Sequence, residues 1–271
     1  MPGGGNIVGR VYTLVNQKGG VGKTTTAINV GAYLAQFGQR VLIVDIDPQA
    51  NATSSLGVDK HTVKGGTYET LLGSSPAATL VLQNPRLKLA ILPSSTSLAG
   101  AEVELVTELG RETKLKIALA PLVERYDYIF IDCPPSLGLL TVNGLMAAQN
   151  GVLIPVQCEY LALEGLGELT RTIQRVRTAL FPGLKVRGVI LTMYDPRTRL
   201  SNDVVAEVRK YFSEQVFDTI IPRSVRLAEA PSYGLPVSAY APESNAAKSY
   251  ETLARELLSS DGVVIALSNN E

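Results

Sequence analysis

The chain has 271 residues, of which 45% are hydrophobic and 18% charged, so it can bury the core of one large α/β domain. Its basic and acidic residues balance to a formal net charge of zero, which argues against a protein that coats nucleic acid through overall basicity. Two cysteines without paired spacing and a single histidine argue against a disulfide framework, a zinc or redox motif and catalysis by histidine.

Hydropathy and the N-terminal residues favour a cytoplasmic protein. No stretch approaches the roughly eighteen consecutive apolar residues of a membrane-spanning helix, and the first residues, MPGGGNIVGRVY, lack the basic and apolar regions of a signal peptide. We expect a single domain over residues 10–258, with flexible termini at 1–9 and 259–271.

Apolar, β-branched runs recur along the chain with helical patterns between them. Runs without in/out alternation are typical of strands covered on both faces, and strand–helix alternation indicates parallel pairing through right-handed crossovers. The predicted strands are 11–16, 40–47, 87–93, 126–132, 150–156, 184–193 and 216–222, and the predicted helices are 22–38, 99–109, 112–125, 138–148, 162–181, 202–214 and 244–258. The sequence therefore predicts a doubly wound, mostly parallel α/β sheet flanked by helices.

A glycine-rich loop joins the first strand to the first helix in the run VNQKGGVGKTTTAINV. Gly19, Gly20 and Gly22 allow the backbone to curl so that successive N–H groups point inward, toward the β- and γ-phosphates of a nucleotide. Lys23 then reaches the phosphate oxygens, and the Thr24 hydroxyl is placed to bind Mg²⁺. The predicted nucleotide-binding residues of this loop are Lys18, Gly19, Gly20, Val21, Gly22, Lys23, Thr24 and Thr25.

This loop departs from the common P-loop pattern G-x-x-x-x-G-K-S/T. Gln17 stands where the pattern has its first glycine, and a second lysine, Lys18, stands at the front of KGGVGKTT. That arrangement is the deviant Walker A form of the P-loop. A glycine-rich turn that merely packs is the structural alternative, and the register of three glycines, two lysines and two threonines after a strand argues against it.

From Val11 to about Leu258 the chain resembles the ParA/MinD superfamily, and specifically the short chromosomal ParA (Soj) type. The resemblance implies an enzyme that hydrolyses ATP to ADP and phosphate with Mg²⁺. In that family the front lysine touches the nucleotide of the partner subunit. The resemblance therefore implies a role for Lys18 across a homodimer that forms on ATP binding.

Two acidic residues end the second predicted strand in VDIDPQANAT, at the sheet edge where a γ-phosphate would lie. The resemblance assigns Asp47 to switch I, where it orients the attacking water close to the metal, and leaves Asp45 a role in structure and in the outer shell of magnesium. An Asp-x-Asp-Pro run is also typical of a turn or helix cap. The predicted catalytic residues are Lys18, Lys23 and Asp47.

An apolar run leads to Asp132 in YIFIDCPPS, which has the form of a Walker B strand whose carboxylate holds Mg²⁺ through water. Pro134 and Pro135 break the strand and begin switch II. The predicted metal site consists of Thr24, Asp47 and Asp132. Hydrolysis then requires positioning and charge neutralisation, without a covalent intermediate.

The resemblance places the adenine site after the sixth and seventh strands, at Met193 in LTMYD and Pro222 in IIPR. Either residue is equally compatible with the core or with a turn. These two residues complete the predicted nucleotide-binding set.

The region 171–226 carries more than twice as many basic as acidic residues. Arg197 and Arg199 are two apart, and Arg223 and Arg226 are three apart, a spacing that suits one face of a turn or helix. Ordinary solvated arginines are the alternative. The resemblance, carried by IPRSVRLAEAPS, implies DNA contacts by Arg197 and Arg226, and contacts to phosphate without base readout predict nonspecific, salt-sensitive binding of double-stranded DNA.

Leu235 and Asn245 stand where many relatives carry basic residues. DNA affinity is therefore expected to be lower, or to depend more on Lys248. The resemblance also implies nucleoid association and a ParB-like centromere-binding partner that stimulates hydrolysis.

Two family comparisons narrow the expected role. Longer plasmid ParA proteins carry an N-terminal helix-turn-helix domain, whereas only about ten residues precede the first strand here, so operator binding is not expected. MinD ends in a basic amphipathic helix, whereas this chain ends in SSDGVVIALSNNE, so membrane binding is not expected.

Two alternative functions remain open at this point. One is a MinD-like spatial organiser of non-DNA cargo. The other is a metabolic relative such as a nitrogenase iron protein or a dethiobiotin synthetase, although Cys133 and Cys158 do not resemble iron–sulfur ligands and are expected to be buried thiols.

Overall fold

A seven-stranded sheet organises the part of the chain that the computed structural model describes, residues 9–160 and 162–263. The strands are β1 (Arg10–Leu14), β2 (Val41–Asp45), β3 (Leu82–Asn84), β4 (Leu89–Leu92), β5 (Tyr128–Asp132), β6 (Gly151–Gln157) and β7 (Val186–Thr192). Their order across the sheet is β3-β4-β2-β5-β1-β6-β7, and every neighbouring pair is parallel except β3 with β4.

Twelve α-helices lie between the strands or follow the last of them within the described residues. They are α1 (Lys23–Gln36), α2 (Asn51–Ser55), α3 (Thr67–Leu72), α4 (Ala77–Leu80), α5 (Leu98–Glu104), α6 (Lys114–Val123), α7 (Leu139–Ala147), α8 (Ala162–Ala179), α9 (Arg199–Phe212), α10 (Val225–Glu229), α11 (Val237–Tyr240) and α12 (Asn245–Ser260). Short 3-10 turns cover Leu105–Thr107, Arg111–Thr113, Ser213–Gln215 and Ala230–Tyr233.

The central strands are buried on both faces, as their uninterrupted apolar sequences predict. Phe130 of β5 joins the cluster beneath α1 and α12, whereas its neighbours Ile129 and Ile131 join the cluster beneath α6 and α7. Each helical layer thus packs on alternate residues of the same strands. The doubly wound α/β class is confirmed.

Pairing of the three central strands brings their acidic ends to one edge of the sheet. Asp132 ends β5 in register with Leu14 of β1 and with Asp45 of β2. Because parallel strands end on the same side, the loops that follow β1, β2 and β5 meet there. This edge carries the candidate site.

The predicted strand at 216–222 is wrong as a regular strand. Only Val216 and Pro222 make parallel bridges, each an isolated one, with Val189 and Tyr194 respectively. The N–H groups of Phe217 and Ile221 donate to Val189 and Leu191 of β7, but the intervening N–H groups of Asp218 and Thr219 donate to the Glu256 carboxylate, which interrupts the ladder. The seventh strand of the sheet is instead β3, a short antiparallel edge strand that was not predicted from its sequence, LQN.

The C-terminal helix continues past the predicted domain boundary at residue 258. α12 extends to Ser260, and the Asp261 carboxylate accepts hydrogen bonds from the Tyr12 hydroxyl at 2.7 Å and the Tyr128 hydroxyl at 3.0 Å. The domain therefore includes residues that the sequence assigned to a flexible tail.

Gly9, assigned to the flexible N-terminus, is buried, and its N–H donates to the Val123 carbonyl at 2.9 Å. The remainder of the predicted flexible segments, residues 1–8 and 264–271, lies outside the described residues. Among the helices of the described ranges, none has both the length and the apolar character needed to cross a membrane.

Candidate functional site

The loop between β1 and α1 borders a cavity of 320 Å³, which we call the phosphate cavity because it lies at the predicted phosphate-binding loop. Gly20 and Gly22 adopt φ angles of 74° and 91°, in the left-handed region that favours glycine. Gly22 is the N-cap of α1, so the positive end of that helix lies at the loop. The cavity is lined by Gly19, Gly20, Gly22, Lys23, Thr24, Thr25, Asp47, Asn51, Ser55, Pro135 and Met193.

Two of the predicted nucleotide-binding residues of the loop, Lys18 and Val21, do not line this cavity. Val21 is buried, and its carbonyl accepts a hydrogen bond from the Thr192 hydroxyl at 2.9 Å, which ties the loop to β7. Lys18 lines a neighbouring cavity of 440 Å³, where its ammonium lies 3.8 Å from the Glu159 carboxylate. Lys18 therefore does not line the phosphate cavity.

The ammonium group of Lys23 is held by the loop itself. It donates to the Asn16 carbonyl at 3.0 Å and to the Lys18 carbonyl at 3.4 Å. Burial lowers the pKa of Lys23, and the nearby Asp132 carboxylate opposes that shift. An anion at the loop would favour the charged form of Lys23 further, because it adds negative charge next to a poorly solvated cation.

Asp132 is fully buried at the end of β5, with one carboxylate oxygen unpaired. Its Oδ2 accepts a hydrogen bond from the Thr24 hydroxyl at 2.6 Å, whereas its Oδ1 is buried without any partner. Burial, reinforced by the charge of Asp45, raises the pKa of Asp132 to about 8. A cation at this position would stabilise the ionised carboxylate.

This donor set fits magnesium. Carboxylate and hydroxyl oxygens from Asp132 and Thr24 are hard ligands, and Mg²⁺ commonly takes one or two protein oxygens with water and phosphate. Within residues 9–160 and 162–263, no three His, Cys, Asp or Glu side chains cluster closely enough to hold a metal by themselves. When bound, Mg²⁺ would supply charge neutralisation at the phosphates.

The two acids after β2 occupy different environments. Asp45 accepts hydrogen bonds at Oδ2 from the N–H and the hydroxyl of Thr53, at 2.8 and 2.7 Å, and at Oδ1 from the Asp47 N–H. Burial raises the pKa of Asp45 to about 6. Asp47 lines the phosphate cavity and accepts from the Gln49 N–H at 2.9 Å. Asp45 thus orders the turn that presents Asp47.

A second, largely apolar cavity of 290 Å³ adjoins the phosphate cavity, and we call it the base cavity because the predicted adenine-site residues line it. It is lined by Gly22, Thr25, Thr192, Met193, Ile221, Pro222, Arg223, Ser224, Leu227, Ala228 and Tyr250. The structure therefore brings Met193 and Pro222 together. Because Gly22, Thr25 and Met193 line both cavities, the two can hold the base and the phosphates of one nucleotide.

Met193 has an unusual backbone at this junction. Its φ of 53° places a non-glycine residue in the left-handed region, a sparsely populated conformation that often marks functional sites. The next residue, Tyr194, forms a bridge with Pro222 and so closes the chain around the base cavity. Nothing in the run LTMYD signals this conformation.

Every predicted DNA-contacting side chain lies at the surface and faces an acid of its own chain. The pairs are Arg197–Asp195 at 2.7 Å, Arg199–Asp203 at 3.9 Å, Arg223–Glu159 at 2.8 Å, Arg226–Glu229 at 2.8 Å and Lys248–Glu243 at 3.3 Å. Exposed pairs of this kind contribute only about 0–1 kcal/mol each, so a polyanion can compete with the acids.

These five cations do not form one cluster. Arg223 lines the 440 Å³ cavity together with Lys18 and Asp195, whereas Lys248 borders a separate opening with Asp218.

Both cysteines are buried, as predicted. Burial raises the pKa of the Cys133 thiol well above its usual value and that of Cys158 to about 11, which keeps both thiols protonated.

Comparison with known proteins agrees with this geometry. A family model described as an AAA domain matches residues 9–186. The chromosome partitioning protein ParA of Myxococcus xanthus is 52% identical over 254 residues, which cover 94% of this chain and 89% of that protein. The sporulation initiation inhibitor protein Soj of Bacillus subtilis is 50% identical over 250 residues, covering 92% of this chain and 98% of that protein.

Solved structures are similar over the same extent. A Mycobacterium smegmatis structure described as cobyrinic acid a,c-diamide synthase with bound ATP analog and magnesium is 40% identical, with a TM-score of 0.83 and coverage of 94% of this chain and 96% of that chain. The ATP complex of a Cyanothece McdA variant is 25% identical, with a TM-score of 0.83 and coverage of 96% and 99%.

Proposed function

Since this chain belongs to the ParA/Soj family of chromosome-partitioning ATPases, we propose that it is an ATP-gated switch that partitions chromosomal or plasmid DNA. MgATP binding would assemble a homodimer, and the dimer would bind double-stranded DNA without sequence preference. Hydrolysis, stimulated by a ParB-like partner, would return the subunits to the unbound state. The protein would thus reside in the cytoplasm in association with the nucleoid.

One observation carries this proposal. The segment that contributes Pro222 and Ser224 to the base cavity also carries Arg223 and Arg226. Leu227 of α10 lines that cavity, whereas the Arg226 side chain on the same helix is 58% exposed. A nucleotide in the cavity would therefore contact the helix that presents a DNA-binding arginine to solvent.

The residues of the phosphate cavity suit phosphoryl transfer to water. Lys23 would bind phosphate oxygens in place of its loop carbonyls, while Thr24 and Asp132 would hold the magnesium. Asp47 would orient the attacking water, since it lines the cavity beside the loop. Each group acts by positioning or by stabilising charge.

The position of Lys18 supports assembly of a dimer. Its ammonium lies 3.8 Å from Glu159, in a cavity next to the phosphate cavity and not in it. With a side chain that is 32% exposed, Lys18 would exchange Glu159 for the phosphates of a nucleotide bound by a second subunit. That contact would make dimerisation depend on the bound phosphates.

A biosynthetic role is the alternative raised by the description of the Mycobacterium smegmatis structure. Partitioning is favoured because the ParA and Soj relatives share half of their residues with this chain over nearly its whole length, compared with 40% for that structure.

The test is retention of the purified protein on random-sequence double-stranded DNA with ATP, ADP or no nucleotide, across a salt series. Lys23→Ala serves as the control that cannot bind phosphate tightly. The proposal predicts retention with ATP alone, a steep loss of retention with salt and no retention of the variant. Absence of retention in the presence of confirmed ATP uptake would refute the DNA role and leave the organiser of non-DNA cargo.

A further inference from the structure

A buried amide connects the P-loop helix to the C-terminal segment that carries the arginines. Asn29 of α1 is 5% exposed, and its Nδ2 donates to the Thr25 carbonyl at 2.7 Å. Its Oδ1 accepts from the N–H of Val237, the first residue of α11, at 2.7 Å. One side chain thus joins a residue that lines both nucleotide cavities to a helix more than two hundred positions later.

A second contact joins the same segment to the loop that follows α2. Gly57 follows α2 and lies against Gly234, so closely that a Cβ atom on Gly234 would stand 2.7 Å from the Gly57 Cα. Gly234 caps the 3-10 turn Ala230–Tyr233. The chain after Asp47 therefore packs backbone to backbone against the chain that leads into α11.

These contacts define a coupling segment, residues 222–237, which nucleotide-binding elements hold at three places. Pro222, Leu227 and Ala228 form a wall of the base cavity, Gly234 packs on Gly57 after α2, and the Val237 N–H is bonded to Asn29. The segment carries Arg223 and Arg226, so its position determines where those guanidinium groups lie.

We propose that Asn29 is a positioning residue that holds the coupling segment to α1, so that nucleotide bound at the P-loop sets the placement of Arg223 and Arg226 for DNA. This inference rests on the proposed DNA-binding function. Val237 is fully buried, so truncation of Asn29 removes the acceptor of a buried N–H group. The coupling segment would then lose this bond to α1, whereas no residue of the P-loop is changed.

The decisive comparison is Asn29→Ala with Asn143→Ala. Asn143 is a matched control on the opposite layer: it is fully buried in α7, its Oδ1 accepts from the Leu115 N–H at 3.1 Å and its Nδ2 donates to the Arg111 carbonyl at 2.8 Å. Both variants lose a buried amide that joins two segments, but only Asn29 is bonded to the coupling segment, which carries Arg223 and Arg226.

For each folded variant we would measure the thermal midpoint, the MgATP dissociation constant, dimer mass by light scattering and ATP-dependent DNA retention. Asn29→Ala is expected to keep its MgATP affinity within about threefold and to dimerise, while DNA affinity falls about tenfold, the size of a typical coupling effect. Asn143→Ala is expected to lower the thermal midpoint without that loss. Equal DNA retention by the two variants would overturn the inference.

Hydrogen exchange of the wild-type protein tests the same inference without substitution. MgATP is expected to slow exchange of the Val237 amide and its neighbours in residues 222–237, and unchanged exchange there would refute the coupling even if Asn29→Ala failed to fold. Failure of the proposed function would look different, since the wild-type protein itself would then not bind DNA with ATP.

Discussion

The backbone contact between Gly57 and Gly234 makes Gly234→Ala a quantitative test of the structure. Gly234 has a φ of 65°, where an alanine costs about 1–2 kcal/mol relative to glycine. Its new Cβ would also stand 2.7 Å from the Gly57 Cα and 3.0 Å from the Gly57 nitrogen, and neither atom belongs to a flexible side chain. Overpacking of this kind costs about 1–3 kcal/mol more.

Gly73→Ala is the matched control. Gly73 also caps a helix, with a φ of 73°, but a Cβ atom there would meet no atom within 4 Å. The free energy of unfolding should therefore fall by about 1–2 kcal/mol for Gly73→Ala and by about 2–5 kcal/mol for Gly234→Ala. Each kcal/mol corresponds to roughly 2–4 °C in the thermal midpoint of a chain of this size.

Scanning calorimetry at one protein concentration, without nucleotide, gives both midpoints. The backbone shift at Gly57 should extend to α2, which lines the phosphate cavity through Asn51 and Ser55, so Gly234→Ala should also weaken MgATP binding while Gly73→Ala does not. Equal midpoints for the two variants would show that Gly57 and Gly234 are not in contact, and would remove the link between α2 and the coupling segment.

Three other substitutions test separate parts of the site. Lys23→Ala removes a charged donor to phosphate and should raise the MgATP dissociation constant by roughly 10- to 150-fold in calorimetric titration, which an unchanged constant would contradict. Asp47→Ala should slow phosphate release about a hundredfold or more while the ATP dimer persists on DNA; fast turnover would refute the role in orienting water. Arg226→Glu should leave MgATP affinity unchanged and flatten the salt dependence of DNA binding by about two ion equivalents per dimer, and an unaltered slope would place the DNA contact elsewhere.

The phosphate-binding loop could be predicted from the sequence because its residues are contiguous. Gly19 through Thr25 lie in the loop after β1 and in the first turn of α1, so the chemistry and the geometry are encoded in one short run. The parallel sheet was predictable for a similar reason, since strands covered on both faces consist of uninterrupted apolar residues. The roles of Lys18 and Asp47 in turnover remain predictions.

The base cavity and its connection to α1 depend on contacts between distant parts of the chain. Leu227 and Tyr250 line the cavity only because the chain after β7 packs against the P-loop helix. Asn29 looks like an ordinary polar residue in TTTAINVGAYLAQ until its amide is seen to bond the Val237 N–H. No local pattern could have identified either feature.

The failed strand at 216–222 has a tertiary cause as well. Its apolar run, VFDTIIP, satisfies the pattern of a buried strand, but Glu256 of α12 takes the N–H groups of Asp218 and Thr219. Local hydrophobicity cannot reveal that a carboxylate from a later helix competes with a sheet for backbone donors.

Thermodynamic linkage offers the most direct test of ATP-gated DNA binding. If ATP strengthens DNA binding by a given factor, saturating DNA must strengthen ATP binding by the same factor. The measurement is the apparent MgATP dissociation constant of Asp47→Ala, whose slow hydrolysis would keep the system near equilibrium, with and without random-sequence double-stranded DNA. The account predicts that DNA lowers the MgATP dissociation constant, and that the factor equals the one by which ATP lowers the DNA dissociation constant. An MgATP dissociation constant that DNA does not change would contradict it.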